Sequence, residues 1–351
     1  MKFKYVLFVM MYAVLTSCNT QSDRQFDNIS LDLDIKRLDI GMYQCAGKIR
    51  SDSTLNLFET YQEFFQEDRE YYIESLGIPV NRMREGQVDS LLARTLIPLV
   101  ADSSMYQLLD TIQQVFPADY PFEQQMLPLL KRLVGYLGED SLEIPPFRMF
   151  ANGFVPKGDS RSIDQLQVLP SYYGIGLHYF LGKGYPFYPA NVPVYIRKRF
   201  DKIYLPVLVA SSISEGMVPE VNPRSQPTLI DHMVRKGIAQ FFLDKLLPDT
   251  PDSLKFFYTS EQMAWAERFE PALFKEIIPD LYSTDYLQYR DYLEERPFSA
   301  QISQEAPPRI GQFLGWKIVR AYIEENPSIS LAELIASQDY TGIFKSAKYR
   351  P

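Results

Sequence analysis

Metal or nucleophile chemistry would have few parts to draw on here, because the 351-residue chain holds only two histidines, His178 and His232, and two cysteines, Cys18 and Cys45. A catalytic zinc helix needs two histidines four residues apart, with a glutamate base beside the first. That spacing is missing: Met233 follows His232, and Lys236 stands where a second ligand would be needed. Gly174-Ile175-Gly176 lacks the third glycine of a dinucleotide loop, and Gly182-Lys183-Gly184 lacks the long glycine-rich loop of a phosphate cradle. No Gly-x-Ser-x-Gly elbow occurs, so the commonest hydrolase signal is absent as well. Carboxylate pairs can be drawn freely among the 44 acidic residues, but none has a spacing that singles it out. His178, inside Leu177-His178-Tyr179-Phe180-Leu181, reads as a strand histidine bonded to backbone or tyrosine. His232 reads as a solvated histidine on the polar face of a helix.

The cysteines point to a different chemistry. Lys2 and Lys4 precede an apolar run over residues 5–15 that is too short to span a bilayer. Leu15-Thr16-Ser17-Cys18 then has the order of a bacterial lipobox. The expectation is a signal peptide over residues 1–17, cleavage before Cys18, acylation of that cysteine by a fatty acid such as palmitate, and a polar tether over residues 18–30. Cys45 is left without an intramolecular partner, so neither a disulfide framework nor a cysteine metal site is expected. No metal and no cofactor is expected. Loss of Lys2 and Lys4 takes the formal charge from −8 to −10, which speaks against nucleic acid and anionic headgroups as partners. The anchored protein would sit in the cell envelope, with the periplasmic face of the outer membrane as its expected place.

Two helices would have to position any site. Residues 308–327 are bracketed by Pro308 and Pro327, and the second proline ends any helix between them. Ile310, Leu314, Ile318 and Ala321 share one face, while Trp316, Val319 and Ile323 cover another, which is the pattern of a buried helix. Gly311 and Gly315 lie one turn apart, and each costs roughly 1 kcal/mol against alanine. A neighbour whose backbone must come close explains that cost. The second helix covers residues 228–247, with Thr228 as N-cap, Asp231 completing the cap, and Pro248 as the stop. Ile230, Met233, Val234, Gly237, Ile238, Phe241 and Phe242 make its apolar stripe, and His232, Arg235, Lys236, Gln240 and Asp244 its polar side.

The rest of the chain reads as an α+β domain, mostly helical, with a small central sheet. Strands are expected over residues 31–39, 144–154 and 173–181, from alternation or from apolar runs bounded by Pro and Gly. Helical spacing covers residues 55–65, 88–99, 103–116 and 122–137, and returns from residue 192 to the end. A loop dense in Gly, Pro and Tyr spans residues 180–190. With 24 Tyr and 23 Phe the core can be large, and no linker divides residues 31–351.

Taken in order, these segments resemble the gliding-motility lipoprotein family GldB of Bacteroidota. The lipobox and Ile35-Lys36-Arg37-Leu38-Asp39 open the likeness, followed by Tyr179-Phe180-Leu181-Gly182 and its Pro/Tyr-rich loop. Met233, Val234 and Gly237 lead to Phe242-Leu243-Asp244 and Leu246-Leu247-Pro248, and Tyr258-Thr259 leads to Gln262 and Trp265. Pro297-Phe298-Ser299 comes next, then Arg309-Ile310-Gly311 with Leu314-Gly315-Trp316, Arg320 and Tyr322, and finally Phe344, Ser346, Tyr349 and Pro351. The family in turn resembles predicted zinc-dependent proteases of zincin-like fold, and the likeness implies that residues 31–351 form one such domain. Helix 228–247 would take the place of the metal helix and helix 309–325 that of the glycine-rich helix packed near it.

His232, Met233, Lys236 and Gly237 then occupy degenerate metal positions. An ammonium repels a divalent cation, and a thioether cannot act as general base. Arg309, Gly311, Gly315, Trp316, Arg320 and Tyr322 would pack around the old cleft. The implied role is a non-catalytic scaffold or binding subunit of gliding motility or type IX secretion, with envelope proteins as partners. A zincin-derived hydrolase with an unconventional site, or a general envelope-maintenance lipoprotein, are the alternatives.

Overall fold

The computed structural model describes residues 26–351 apart from residues 53, 139–141, 154–164 and 170. The expected signal peptide, Cys18 and most of the tether lie outside the described residues.

Strand β1 (Ile35–Arg37) runs directly into helix α1 (Leu38–Ser51). A strand is expected over residues 31–39, but strict alternation stops at Lys36 and the ladder takes up only residues 35–37. Leu38, Met42, Cys45 and Ala46 recur at helical spacing and are buried, so the chain turns into a helix as soon as that spacing begins. Four more helices follow: α2 (Leu57–Phe65), α3 (Arg69–Leu76), α4 (Glu85–Ala101) and α5 (Ser103–Val115). Asn56 caps α2, its side chain accepting from the Phe58 and Glu59 amides at 2.9 and 3.1 Å. Asp102 caps α5 in the same way. Gly77 closes α3 at a φ of +64°, a conformation that glycine adopts without a side-chain clash. Helix α6 (Phe122–Leu137) completes the crossover to the sheet.

The sheet has strands β2 (Phe147–Phe150), β3 (Leu166–Val168) and β4 (Tyr173–Gly176) beside β1, in the order β1-β2-β4-β3. β1, β2 and β4 are parallel, with Ile35 opposite Phe147 and Phe147 opposite Tyr173, while β3 pairs antiparallel with β4 at the edge. A parallel pair needs a long crossover, which α1 to α6 supply between β1 and β2. After β4 the chain enters a 3₁₀ turn, Leu177–Tyr179, so the apolar run expected as one strand over residues 173–181 ends halfway.

The second half is helical, as expected. Its main elements are α7 (Leu205–Met217), α8 (Leu229–Leu246), α9 (Ser260–Ile277), α10 (Ile310–Glu325), α11 (Leu331–Ala336) and α12 (Tyr340–Ala347). α8 lies at the centre, packed on α10, α7, α12 and, across to the first half, α6. Arg132 of α6 reaches over and donates to the Leu246 carbonyl at 3.1 Å. One continuous apolar core runs from Leu33 to Ala347. The expectation of a mostly helical α+β fold with a small sheet holds. The amphipathic picture of α8 does not: Arg235 and Gln240 on its supposed outer side are 2% exposed, because neighbouring helices cover that side too. Among the described residues, no helix is long and apolar enough to cross a membrane.

Candidate functional site

The crossing of α8 and α10 gathers most of the residues singled out in the sequence. α8 starts where the Asp231 carboxylate accepts from the Thr228 amide at 2.9 Å and its hydroxyl at 2.7 Å. Two further amides of its first turn, Leu229 and Ile230, donate to the Ser283 and Leu281 carbonyls. α10 starts at Arg309, which holds a left-handed φ of +54°.

Between these starts the two backbones nearly touch. A Cβ on Gly315 would lie 1.8 Å from the Met233 carbonyl oxygen, and one on Gly237 would lie 2.2 Å from the Gly315 carbonyl oxygen. Gly311 meets a different neighbour, the Tyr292 carbonyl at 3.0 Å, with the Met233 side chain 3.4 Å away. Met233, Gly237, Gly315 and Trp316 are therefore packed backbone against backbone, and Gly311 lies beside them against Tyr292 and the Met233 side chain.

Polar side chains peg the same crossing. Gln312 donates to the Gln240 side-chain oxygen at 2.9 Å, and the Trp316 indole donates to Asp244 Oδ2 at 2.5 Å. Asp244 Oδ1 pairs with Lys255 at 2.7 Å. Burial holds the Asp244 carboxyl above its ordinary range, opposed by the Lys255 ammonium and the indole. None of these pegs was expected. The signal for them was Gln312, an amide set among Ile310, Phe313 and Leu314, which needs a buried partner.

His232 and Lys236 lie along another side of α8. Lys236 Nζ pairs with Glu215 of α7 at 3.1 Å, and the buried Arg235 guanidinium holds the same carboxylate. His232 is half-buried against the rings of Tyr286 and Tyr289, at 6.2 and 5.9 Å, rather than solvated as expected. Burial lowers its pKa, while the carboxylates of Asp231 and Glu220 pull it up. Among the described residues, no three His, Cys, Asp or Glu side chains are placed to hold a metal ion.

The remaining expected residues mark the two ends of α10. Arg309 donates to the Phe256 carbonyl and lies 3.2 Å from Glu295. Arg320 is exposed, its guanidinium 4.8 Å from the Trp316 ring, and it lines a hollow of about 410 Å³ with Glu270, Lys317 and Tyr349. Tyr322 is half-buried. A larger hollow of about 790 Å³ lies elsewhere, lined by Pro117, Tyr120, Lys202 and Ile203 among others.

His178 is fully buried at the end of β4, its ring 4.3 Å from that of Tyr179. Desolvation drives its pKa down to about 3, opposed by a backbone hydrogen bond at Phe150. It is a neutral core histidine.

A family model described as gliding motility protein GldB matches residues 19–351. No curated protein and no solved structure matches the chain.

Proposed function

The chain belongs to the gliding motility protein GldB family, and from that premise we propose that it is a lipid-anchored envelope protein serving the gliding machinery, or the linked type IX secretion system, as a non-catalytic scaffold. The α8–α10 crossing supports the absence of catalysis. Where the zincin-like resemblance would put a metal helix and its neighbour, α8 and α10 meet with the Gly237 and Gly315 backbones in contact. Lys236, in the place of a second ligand, is ion-paired with Glu215. On the Met233 and Gly237 face the packed main chain leaves no volume for a metal, its water and a substrate, and on the His232 face an ion-paired ammonium stands where a second ligand would be needed.

The lipobox ending in Cys18 supports attachment by lipid, with the periplasmic face of the outer membrane as the proposed site. Envelope proteins of the motility machinery are the proposed partners.

Deletion of the gene in its native host, with complementation, tests this reading. Spreading on a surface is expected to fail, to return with the wild-type gene, and to stay absent with Cys18→Ser. Normal spreading and normal secretion after deletion would overturn the process. Stoichiometric zinc in the purified chain would overturn the scaffold.

A further inference from the structure

Arg197-Lys198-Arg199 is the longest run of basic residues in this acidic chain. The backbone beside it is fixed, since Phe200 is fully buried and Asp201 bridges to Leu181. From there the Arg199 guanidinium reaches the ring of Phe257, 4.4 Å from its centroid, and the Arg309 guanidinium lies 5.5 Å from the same centroid. Tyr204 stacks on the ring at 5.7 Å.

Both guanidinium groups meet a single carboxylate. Arg199 Nη2 pairs with Glu295 Oε2, and Arg309 Nε is 3.2 Å from that same oxygen. Arg309 directs its other nitrogens to the Phe256 carbonyl and, at 3.4 Å, to the Gln312 side-chain oxygen. Among the described residues, Arg199 has no polar partner besides Glu295, and its buried Nε has no acceptor.

Two cations thus share one anion where their side chains are 15% and 13% exposed. A structural ion pair matches charge with charge and fills its buried donors, whereas this cluster leaves one positive charge over and the Nε–H groups of Arg199 and Arg309 without a hydrogen-bonded acceptor. The backbone reinforces the arrangement. Phe257 and Arg309, neither of them glycine, hold left-handed φ values of +55° and +54°, a strain that persists when surrounding packing enforces it and that clusters at ligand sites.

We propose that Arg199 and Arg309, gathered around Glu295 above Phe257, form a binding site for a small oxyanion, a carboxylate or a phosphate group. The anion enters beside Glu295, the most exposed of the three charged side chains, pairs with the Arg199 guanidinium and neutralises the surplus charge. Consistent with this surplus, the Arg199 pKa is lowered by burial first and by the Arg309 charge second, ahead of the opposing pull of Glu295.

The test is thermal unfolding of the full chain, purified in detergent, against sodium phosphate and separately sodium acetate, with sodium chloride holding ionic strength constant. A saturable rise in Tm is expected with at least one of the two anions. Saturation with phosphate alone assigns a phosphate ligand, and saturation with acetate assigns a carboxylate. Arg199→Gln is expected to abolish the rise. Glu295→Gln removes the resident carboxylate and is expected to move half-saturation to at least several-fold lower anion concentration. A wild-type response no different from that to chloride overturns the site, as does saturation that survives Arg199→Gln. Should Arg199→Gln fail to fold, Glu295→Gln decides: tighter binding supports the site, and equal or weaker binding overturns it.

Discussion

A methyl group at position 315 would sit 1.8 Å from the Met233 carbonyl oxygen, inside any allowed contact, and the obstacle is main chain that cannot rotate away. Gly315→Ala must therefore separate α8 from α10, and we expect it to destabilise the protein by about 3 kcal/mol or more in denaturant titrations. Gly47→Ala is the control: Gly47 is inside α1 with nothing within 4 Å of an added Cβ, so alanine should stabilise by about 0.5–1 kcal/mol. The sequence showed that Gly311 and Gly315 need a close neighbour, because glycines one turn apart weaken a buried helix unless another backbone uses the space they leave. It did not show which neighbour, since a stripe containing Met233 and Gly237 reads as ordinary core. His178 carries a second prediction at this scale. Its folded pKa of about 3 lies below the unfolded value of about 6.5, so between those pH values the unfolded chain binds a proton that the folded one does not. Stability must fall as pH drops from 6.5 towards 3, by up to about 1.4 kcal/mol per pH unit. The half-buried His232 acts in the same direction. Urea midpoints between pH 6.5 and 4.5, above most carboxylate titration, should decline in the wild type and decline less steeply in His178→Gln. Equal slopes would mean that His178 takes up its proton in the folded state.

Between elements, the decisive contacts are the polar pegs along α8. Lys255 is buried and pairs with both Asp244 and Asp252, and removing its ammonium strands the Asp244 charge in a poorly solvated place. Lys255→Met should cost about 3–5 kcal/mol, and Lys255→Met combined with Asp244→Leu should recover part of that loss despite giving up the Trp316 indole bond. A double variant less stable than Lys255→Met would show that the indole bond, rather than the ion pair, governs this contact. These pegs were hidden because helical periodicity reports only which residues share a face. It assigned Arg235, Gln240 and Asp244 to solvent, and tertiary packing then placed helices there. The long helices α5, α6, α8 and α10 were legible from their spacing and stops. α1 was not, since Leu31, Leu33 and Ile35 alternate like a strand and the helical spacing starts only three residues later, at Leu38. The short edge strand β3 also went unread: its three residues, Leu166–Val168, carry almost no pattern, and pairing with β4 defines them. Arg199 and Glu295 escaped for a related reason, because residues so far apart in sequence are joined only by the fold.

At the scale of the whole molecule, the question is whether the sheet-bearing first half and the α8-centred second half unfold together. Chains of this length often unfold through intermediates. Against that, the apolar core is continuous from Leu33 to Ala347, α6 packs on α8, and Arg132 ties α6 to the Leu246 carbonyl. Two built-in reporters can decide the matter. Both tryptophans, Trp265 and Trp316, lie in the second half. In a Cys18→Ser chain the single remaining thiol is Cys45, fully buried in α1 of the first half, where desolvation pushes its pKa up to about 12 and leaves it inert to thiol reagents at neutral pH. Tryptophan fluorescence and Cys45 labelling should therefore show one common urea midpoint. Labelling that begins well below the fluorescence transition would mean that the first half opens alone and that the α6–α8 contact is a weak seam. Coincident midpoints in the wild type that separate in an Arg132→Met variant would locate the coupling in the bond from α6 to the end of α8.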